Sequence, residues 1–208
     1  MKKTTLSMVC LAMTLLAAAK LSAQALPSTE KGSASLEPVM HIALTTGTGD
    51  MNSFLKTVYA DARDMGAVSA GIGFRTGYFL LDKFESYIKI LAARGTDFKA
   101  PQGSYSFVHN WGAYVGVEYY FGNIKDLVSF SANVGIGCEA VDYSYTDMGV
   151  HYVNGVVELG ATVWLTRLGI NLSYTPSIVK GAPKTSSLLD GIPEMGLNNV
   201  SLGLRFRF

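Results

Sequence analysis

Residues 127–140 read LVSFSANVGIGCEA, and this stretch decides the fold. Its even-numbered residues, from Val128 to Ala140, are apolar, while the odd-numbered residues from Ser129 to Glu139 are small or polar. Successive side chains of a β-strand point to opposite faces, so a period of two over this length predicts a strand with one apolar and one polar face.

The same alternation recurs along the chain in segments of about ten residues, which is the length that a tilted strand needs to cross a bilayer. We therefore predict an all-β fold, an eight-stranded antiparallel up-and-down transmembrane β-barrel. The predicted strands are Val39–Thr46, Met65–Thr76, Phe84–Ala93, Asn110–Phe121, Leu127–Ala140, Val153–Leu165, Leu168–Thr175 and Val200–Phe208.

Long and short connections alternate between these segments. This asymmetry is typical of outer-membrane barrels, whose periplasmic turns are short and whose extracellular loops are long. The long connections are 47–64, 94–104, 141–151 and 179–198, and the short ones are 77–83, 122–126 and 166–167.

The N-terminus has the pattern of a secretory signal peptide. A basic start at 1–3 precedes an apolar run over 6–19, and Ala23 and Ala25 are spaced as a cleavage site. The predicted organisation is a signal peptide over 1–25, a periplasmic tether over 26–38 and an outer-membrane barrel over 39–208.

Composition argues against a cytosolic enzyme or a nucleic-acid-binding protein. Charged residues make up 16% of the chain, against about 25% in soluble domains. A formal net charge of +1 gives no electrostatic footprint for nucleic acid. Cys138 is the only cysteine after the predicted signal peptide, so we expect no internal disulfide, no metal and no cofactor.

Alternation alone also fits a soluble, lipocalin-like barrel, whose apolar face points inward. The polar face favours the membrane barrel, because it is rich in glycine, serine and asparagine, whereas a solvated surface would carry more lysine and glutamate. Aromatic residues also gather near the short turns, as they do in the girdles at the rims of membrane barrels. They are Tyr78, Phe79, Phe84, Tyr119, Tyr120, Phe121, Phe206 and Phe208.

The chain ends on an alternating strand, Leu204 to Phe208, with a terminal aromatic residue. With the signal peptide, the eight segments and the alternating connections, this ending makes residues 39–208 resemble the small outer-membrane barrels of the OmpA/OmpX type. The Ser-Ala-Gln-Ala sequence at 22–25 resembles porin-family barrels of Bacteroidetes-like bacteria. The resemblance implies a Gram-negative outer-membrane location, contact with outer-membrane lipid and lipopolysaccharide, and recognition of Phe206 and Phe208 by the barrel assembly machinery.

Charged residues on the polar face of the strands point into the predicted barrel. Buried charges are costly unless they are paired, so four cations with four carboxylates predict a plug of ion pairs. A gated pore is the open alternative. By distance from the short turns, Lys89 and Glu158 lie near mid-depth. The predicted lumen charges are Arg75, Glu85, Lys89, Glu118, Glu139, Glu158, Arg205 and Arg207.

The sequence names no catalytic residue. His41, His109 and His151 belong to three separate segments, and no His-x-Ser-Asn pattern of the kind found in lipid A deacylases occurs. A nucleophile needs a positioned base beside it, which sequence spacing does not show across strands.

Three hypotheses follow. The first is a non-enzymatic outer-membrane barrel with a role in envelope structure or in surface interactions through its extracellular loops, whose partner is unknown. The second is an OmpW-like conduit for a small apolar solute. The third is an outer-leaflet lipid-modifying enzyme, which requires a His-Ser or His-Asp pair near one rim.

Overall fold

The computed structural model describes residues 28–48, 53, 66–95, 97–100, 103–124, 127–145, 148–185 and 192–208. The predicted signal peptide over 1–25 lies outside these residues. The described strands are β1 (Ala34–Thr48), β2 (Gly66–Leu81), β3 (Phe84–Gly95), β4 (Asp97–Ala100), β5 (Gly103–Ile124), β6 (Val128–Tyr145), β7 (Met148–Leu165), β8 (Leu168–Val179), β9 (Lys184–Thr185) and β10 (Gly196–Phe206).

Eight of these strands, all except the short β4 and β9, form a closed antiparallel ring in chain order. β1 pairs with β2 on one side and with β10 on the other, and β3 pairs with β5. The short strand β4 adds to β5, and β9 adds to β7. The predicted eight-stranded up-and-down barrel is confirmed.

The alternation places polar residues inside the ring and apolar residues outside. On β1, Ile42 and Leu44 are more than half exposed, whereas Glu37 and Thr45 are fully buried. Each of the eight ring strands carries exposed large hydrophobic side chains in this way. A soluble lipocalin-like barrel requires the opposite arrangement, so that alternative is wrong.

None of the described residues belongs to a helix long and apolar enough to span a membrane.

The two ends of the barrel differ. At one end, which we call the turn end, residues 82–83 and 166–167 join neighbouring strands directly. β1 begins and β10 ends there, and the backbone N–H of Phe208 donates to the carbonyl of Leu36. The N-terminal segment also reaches the turn end, because Lys83 N–H donates to the carbonyl of Thr29. We call the opposite end the loop end.

Several predicted boundaries are wrong, because the ring strands are longer than predicted; residues 77–81 of the predicted connection 77–83, for example, belong to β2. β1 begins at Ala34, so residues 34–38 of the predicted tether are strand. The predicted connection 141–151 is also mostly strand, because β6 and β7 remain paired as far as Tyr145 and Met148. The alternation of polarity is reversed in this hairpin, because Val141 and Tyr143 are buried while Asp142 is half exposed, so the pattern of the preceding residues does not extend into it.

Part of the predicted aromatic girdle is also wrong. Tyr78, Tyr119 and Phe121 are about half exposed on the outer surface, but Phe79 and Tyr120 are buried. Adjacent residues of a strand point to opposite faces, so neighbouring aromatic residues cannot all lie in the girdle.

Candidate functional site in the barrel lumen

Six charged side chains meet inside the barrel near the turn end. None of the six is more than 5% exposed, and three carboxylates balance three guanidinium groups. This set, which we call the ionic cluster, consists of Glu37, Arg75, Glu85, Glu118, Arg205 and Arg207.

Glu37 is the centre of the ionic cluster, although it lay in the predicted tether. Its carboxylate oxygens lie 3.0 Å from Arg75 Nη1, 2.7 Å from Arg205 Nη2 and 2.5 Å from Arg207 Nη2. Extending the odd-numbered face of β1 back from Val39 would have found it. Pro38 obscured that signal, because proline is rare inside paired strands.

The other two carboxylates join the same guanidinium groups. Arg75 Nη2 lies 2.8 Å from Glu85 Oε2 and 2.6 Å from Glu118 Oε2, and Arg205 Nη2 also contacts Glu118, at 2.8 Å. Each arginine therefore contacts at least two carboxylates. Such an arrangement meets the requirement that buried charges be paired and hydrogen-bonded.

Aromatic rings cover the ionic cluster from one side. Phe79, Tyr120 and Trp164, which we call the aromatic layer, form a buried group. The guanidinium carbon of Arg207 lies 4.5 Å from the Trp164 ring centre and 4.7 Å from that of Tyr120, within range of cation–π attraction. Tyr120 OH donates to Glu85 Oε2 at 2.9 Å, which links the layer to the cluster.

A second ionic group lies apart from the cluster. Lys89 pairs with Glu158, and Tyr87 OH donates to the other oxygen of Glu158 at 3.0 Å. Asn133 donates to the Tyr87 hydroxyl at 3.2 Å, and the Arg75 guanidinium lies 4.1 Å from the Tyr87 ring centre. Tyr87 thus connects the second group to the ionic cluster.

The Tyr87 side chain lies against Gly116 and Gly135, and a substitution at Gly135 tests how tightly the lumen is packed. A Cβ on Gly135 would come within 2.8 Å of the Tyr87 hydroxyl, so Gly135→Ala must displace the group that binds Glu158. We expect a loss of about 1–3 kcal/mol in the free energy of unfolding, measured by urea titration of the refolded barrel. A Cβ on Gly149 meets nothing within 4 Å, so Gly149→Ala should change stability by less than about 0.5 kcal/mol. If Gly135→Ala and Gly149→Ala change the free energy of unfolding equally, the tight packing of Tyr87 against Gly135 is contradicted.

The remaining predicted site residues are Glu139 and the two phenylalanines near the C-terminus, and they lie outside the ionic cluster. Glu139 is buried nearer the loop end than Glu158 on the paired strands and accepts a hydrogen bond from Tyr114. Phe206 is buried and Phe208 is exposed, with their ring centres 5.0 Å apart. Recognition of these two rings by the assembly machinery stays a prediction.

Little free space remains beside the charges. A cavity of about 20 Å³ lies against Arg75, Lys89, Glu158 and Arg205. That volume suits about one water molecule. Among the described residues, no group of three or more His, Cys, Asp or Glu side chains is arranged to hold a metal ion.

One histidine has a carboxylate partner outside the barrel core. His151 Nδ1 lies 2.5 Å from Asp142 Oδ1 where β6 and β7 extend toward the loop end, and both side chains are partly exposed. This is the kind of pair that the lipid-modifying hypothesis requires. A His-Asp pair orients an imidazole but supplies no nucleophile, so the pair alone does not make a catalytic site.

No protein-family model matches the chain, and no curated protein matches it either. Among solved structures, Neisserial surface protein A (NspA) superposes with a TM-score of 0.50 at 12% sequence identity, over 85% of this chain and 99% of that one. The fold is that of a small outer-membrane barrel.

Two further solved structures superpose on this outer-membrane barrel. Ail, the attachment invasion locus protein of Yersinia pestis, has a TM-score of 0.48 at 13% identity, over 85% of this chain and 99% of its own. The outer membrane protein OprG from Pseudomonas aeruginosa has a TM-score of 0.46 at 11% identity, over 88% and 99%. The fold and the apolar outer surface together place the barrel in the cell outer membrane.

Proposed function

We propose that this barrel is a non-enzymatic component of the outer membrane with a closed lumen, and that its role in envelope structure or surface interaction is exercised at its ends. The ionic cluster carries this proposal. Its six buried side chains come from β1, β2, β3, β5, β10 and, for Arg207, the residue directly after β10, and they form one group that occupies the lumen near the turn end. Eight strands enclose an interior that side chains can fill, so a closed lumen is the natural outcome.

The size of the lumen cavity supports a plug over a conduit. A small apolar solute would have to pass charged groups that are already paired, through space that suits about one water molecule. Breaking buried ion pairs for an apolar solute is unfavourable, because the solute offers no hydrogen bonds in return. Leu91 and Val156 do belong to a buried apolar group with Val39 and Tyr114, but the ionic cluster lies on the route to the turn end.

The proposed orientation has the turn end in the periplasm and the loop end outside the cell. Short periplasmic turns and long extracellular loops are the rule for such barrels. The exposed apolar side chains of the ring strands then contact outer-membrane lipid and lipopolysaccharide. Loops on a rigid scaffold commonly carry binding, so the loop end is the proposed site of surface interactions.

Two measurements on the purified chain test the closed barrel. Unboiled samples from outer-membrane fractions should migrate differently from boiled samples on a gel, because a folded membrane barrel resists the detergent. In a planar lipid bilayer, the same preparation should give no regular conductance steps, while a large porin handled identically gives them. A mobility shift together with reproducible conductance steps would show that the folded barrel is an open pore and would contradict the closed lumen. Recovery as a soluble periplasmic protein would contradict the outer-membrane proposal.

A further inference from the structure

A pocket of about 170 Å³ opens at the turn end, beside the aromatic layer. It is separate from the small lumen cavity, since the two have no lining residue in common. Residues from the turns 82–83 and 166–167, from near the end of β5 and from the N-terminal segment form its rim, while buried residues form its floor. The rim includes Thr29, Lys83, Gly122 and Thr166, and the floor includes Tyr120, Trp164 and Arg207.

The backbone at the rim is held in an unusual conformation. Lys83, Gly122 and Thr166 have φ angles of 63°, 69° and 56°, and they lie in the turn after β2, near the end of β5 and in the turn after β7. Positive φ is rare for a β-branched residue such as Thr166. The turns therefore fix the shape of the pocket mouth.

Arg207 lines the pocket floor, and the hydrogen bonds to its buried partners use only two of its three side-chain nitrogens. The side chain is only 2% exposed, and its Nε and Nη2 atoms bind Glu37, Glu85 and Tyr120. Its Nη1 makes no hydrogen bond with the described residues. A guanidinium that is locked on one side by buried partners offers a pre-oriented donor on the other, with little entropy to lose on binding an anion.

The remaining lining sets the chemistry of the ligand. Lys83 adds a second positive charge, and the lining also includes the polar residues Thr29 and Ser129. The buried rings of Tyr120 and Trp164 provide an apolar wall. The volume is smaller than that of a site for a drug-sized molecule, so the ligand must be small.

We propose that this pocket binds a small organic carboxylate, which pairs with Arg207 Nη1 and Lys83 while its apolar body contacts Tyr120 and Trp164. Two sources share this chemistry, a free small acid and the terminal carboxylate of a short peptide. The proposal concerns binding at the turn end and does not require a closed lumen, so its failure is distinguishable from that of the proposed function.

Trp164 can report the binding directly. The protein contains two tryptophans, so Trp111→Phe in the full chain leaves Trp164 as the single source of indole emission. The chain refolded in detergent micelles is titrated with N-acetyl-dialanine, with its C-terminal amide and with propionate. We expect a saturable change in emission with N-acetyl-dialanine and little change with the amide. Tighter binding of N-acetyl-dialanine than of propionate assigns the peptide terminus as the source, whereas equal binding assigns a free small acid.

Variants separate a specific site from general charge attraction. Lys83→Gln should weaken carboxylate binding by about tenfold, the effect of losing one charged hydrogen bond. Lys31→Gln is the matched control, because Lys31 is exposed at the same end but does not line the pocket, and it should leave the affinity unchanged. Ser129→Leu should fill the pocket and abolish the response while the heat-dependent gel shift persists.

Three outcomes would overturn the proposal. The amide could bind as tightly as the acid, Lys83→Gln and Lys31→Gln could weaken binding equally, or no probe could give a saturable change in Trp164 emission. Each would show that the floor arginine and the rim lysine do not recognise a carboxylate.

Discussion

Replacing Glu37 by glutamine is expected to lower the free energy of unfolding of the barrel by roughly 3–5 kcal/mol. Glutamine keeps the shape of the side chain but removes the charge that contacts Arg75, Arg205 and Arg207. Three buried guanidinium groups would then face two carboxylates. An uncompensated charge in a water-poor lumen costs far more than a lost surface contact. Urea unfolding of the refolded chain, followed by the mobility of unboiled samples, measures the change.

Glu30→Gln is the matched control for this prediction. Glu30 lies near the same end of the barrel but is exposed, so its replacement should change stability by less than about 0.5 kcal/mol. If Glu37→Gln lowers the free energy of unfolding no more than Glu30→Gln does, then the Glu37 carboxylate does not balance the charge of the three arginines.

Replacing Leu202 by arginine is expected to cost about 2–4 kcal/mol when the barrel is folded in lipid vesicles. Leu202 is 57% exposed on the outer surface and lies between Ile42 and Leu172, which are equally exposed. A charge at this position would have to leave water for hydrocarbon. A soluble barrel would accept the same substitution without loss, so the experiment tests which solvent the apolar surface meets.

Leu81→Arg provides the comparison at the rim. Leu81 is 58% exposed, but it lies at the turn end, where the cost should fall to about 0–1 kcal/mol. Unfolding titrations of both variants in the same vesicles give the difference. Equal costs, or no cost for Leu202→Arg, would contradict a lipid-facing belt centred on Leu202.

The sequence was informative where one physical constraint governs every residue of a segment. Between Val128 and Ala140, a lumen on one side and an apolar environment on the other leave no position neutral, so alternation predicts both the strand and its orientation. Charges on the polar parity, such as Arg75 and Glu118, could be placed inward by the same reasoning. Their actual partners depend on strand register around the ring, which local alternation does not specify.

Prediction was weakest where local composition and tertiary pairing disagree. Residues 141–151 were predicted as a connection because the alternation with polar residues inside ends at Ala140, but pairing between β6 and β7 keeps most of the segment extended. Glu37 was missed because it precedes a proline, and Asp142 and His151 were not paired because contacts between strands cannot be read from spacing along one of them. The pocket at the turn end is built from residues that lie far apart along the chain, in turns and at strand ends, so no single sequence motif predicts it.

The distance along the chain between Glu37 and its partners links charge balance to assembly. Its hydrogen bonds to Arg205 and Arg207 span 168 and 170 residues. Before β10 joins β1 and β8, Arg75 faces the carboxylates of Glu37, Glu85 and Glu118 without the other two guanidinium groups. A barrel that has not yet closed therefore has an excess of negative charge in its interior, which is neutralised only when β10 and the residues after it are added. Insertion should consequently be cooperative, with no long-lived open intermediate, because the same docking event seals the wall and completes the interior.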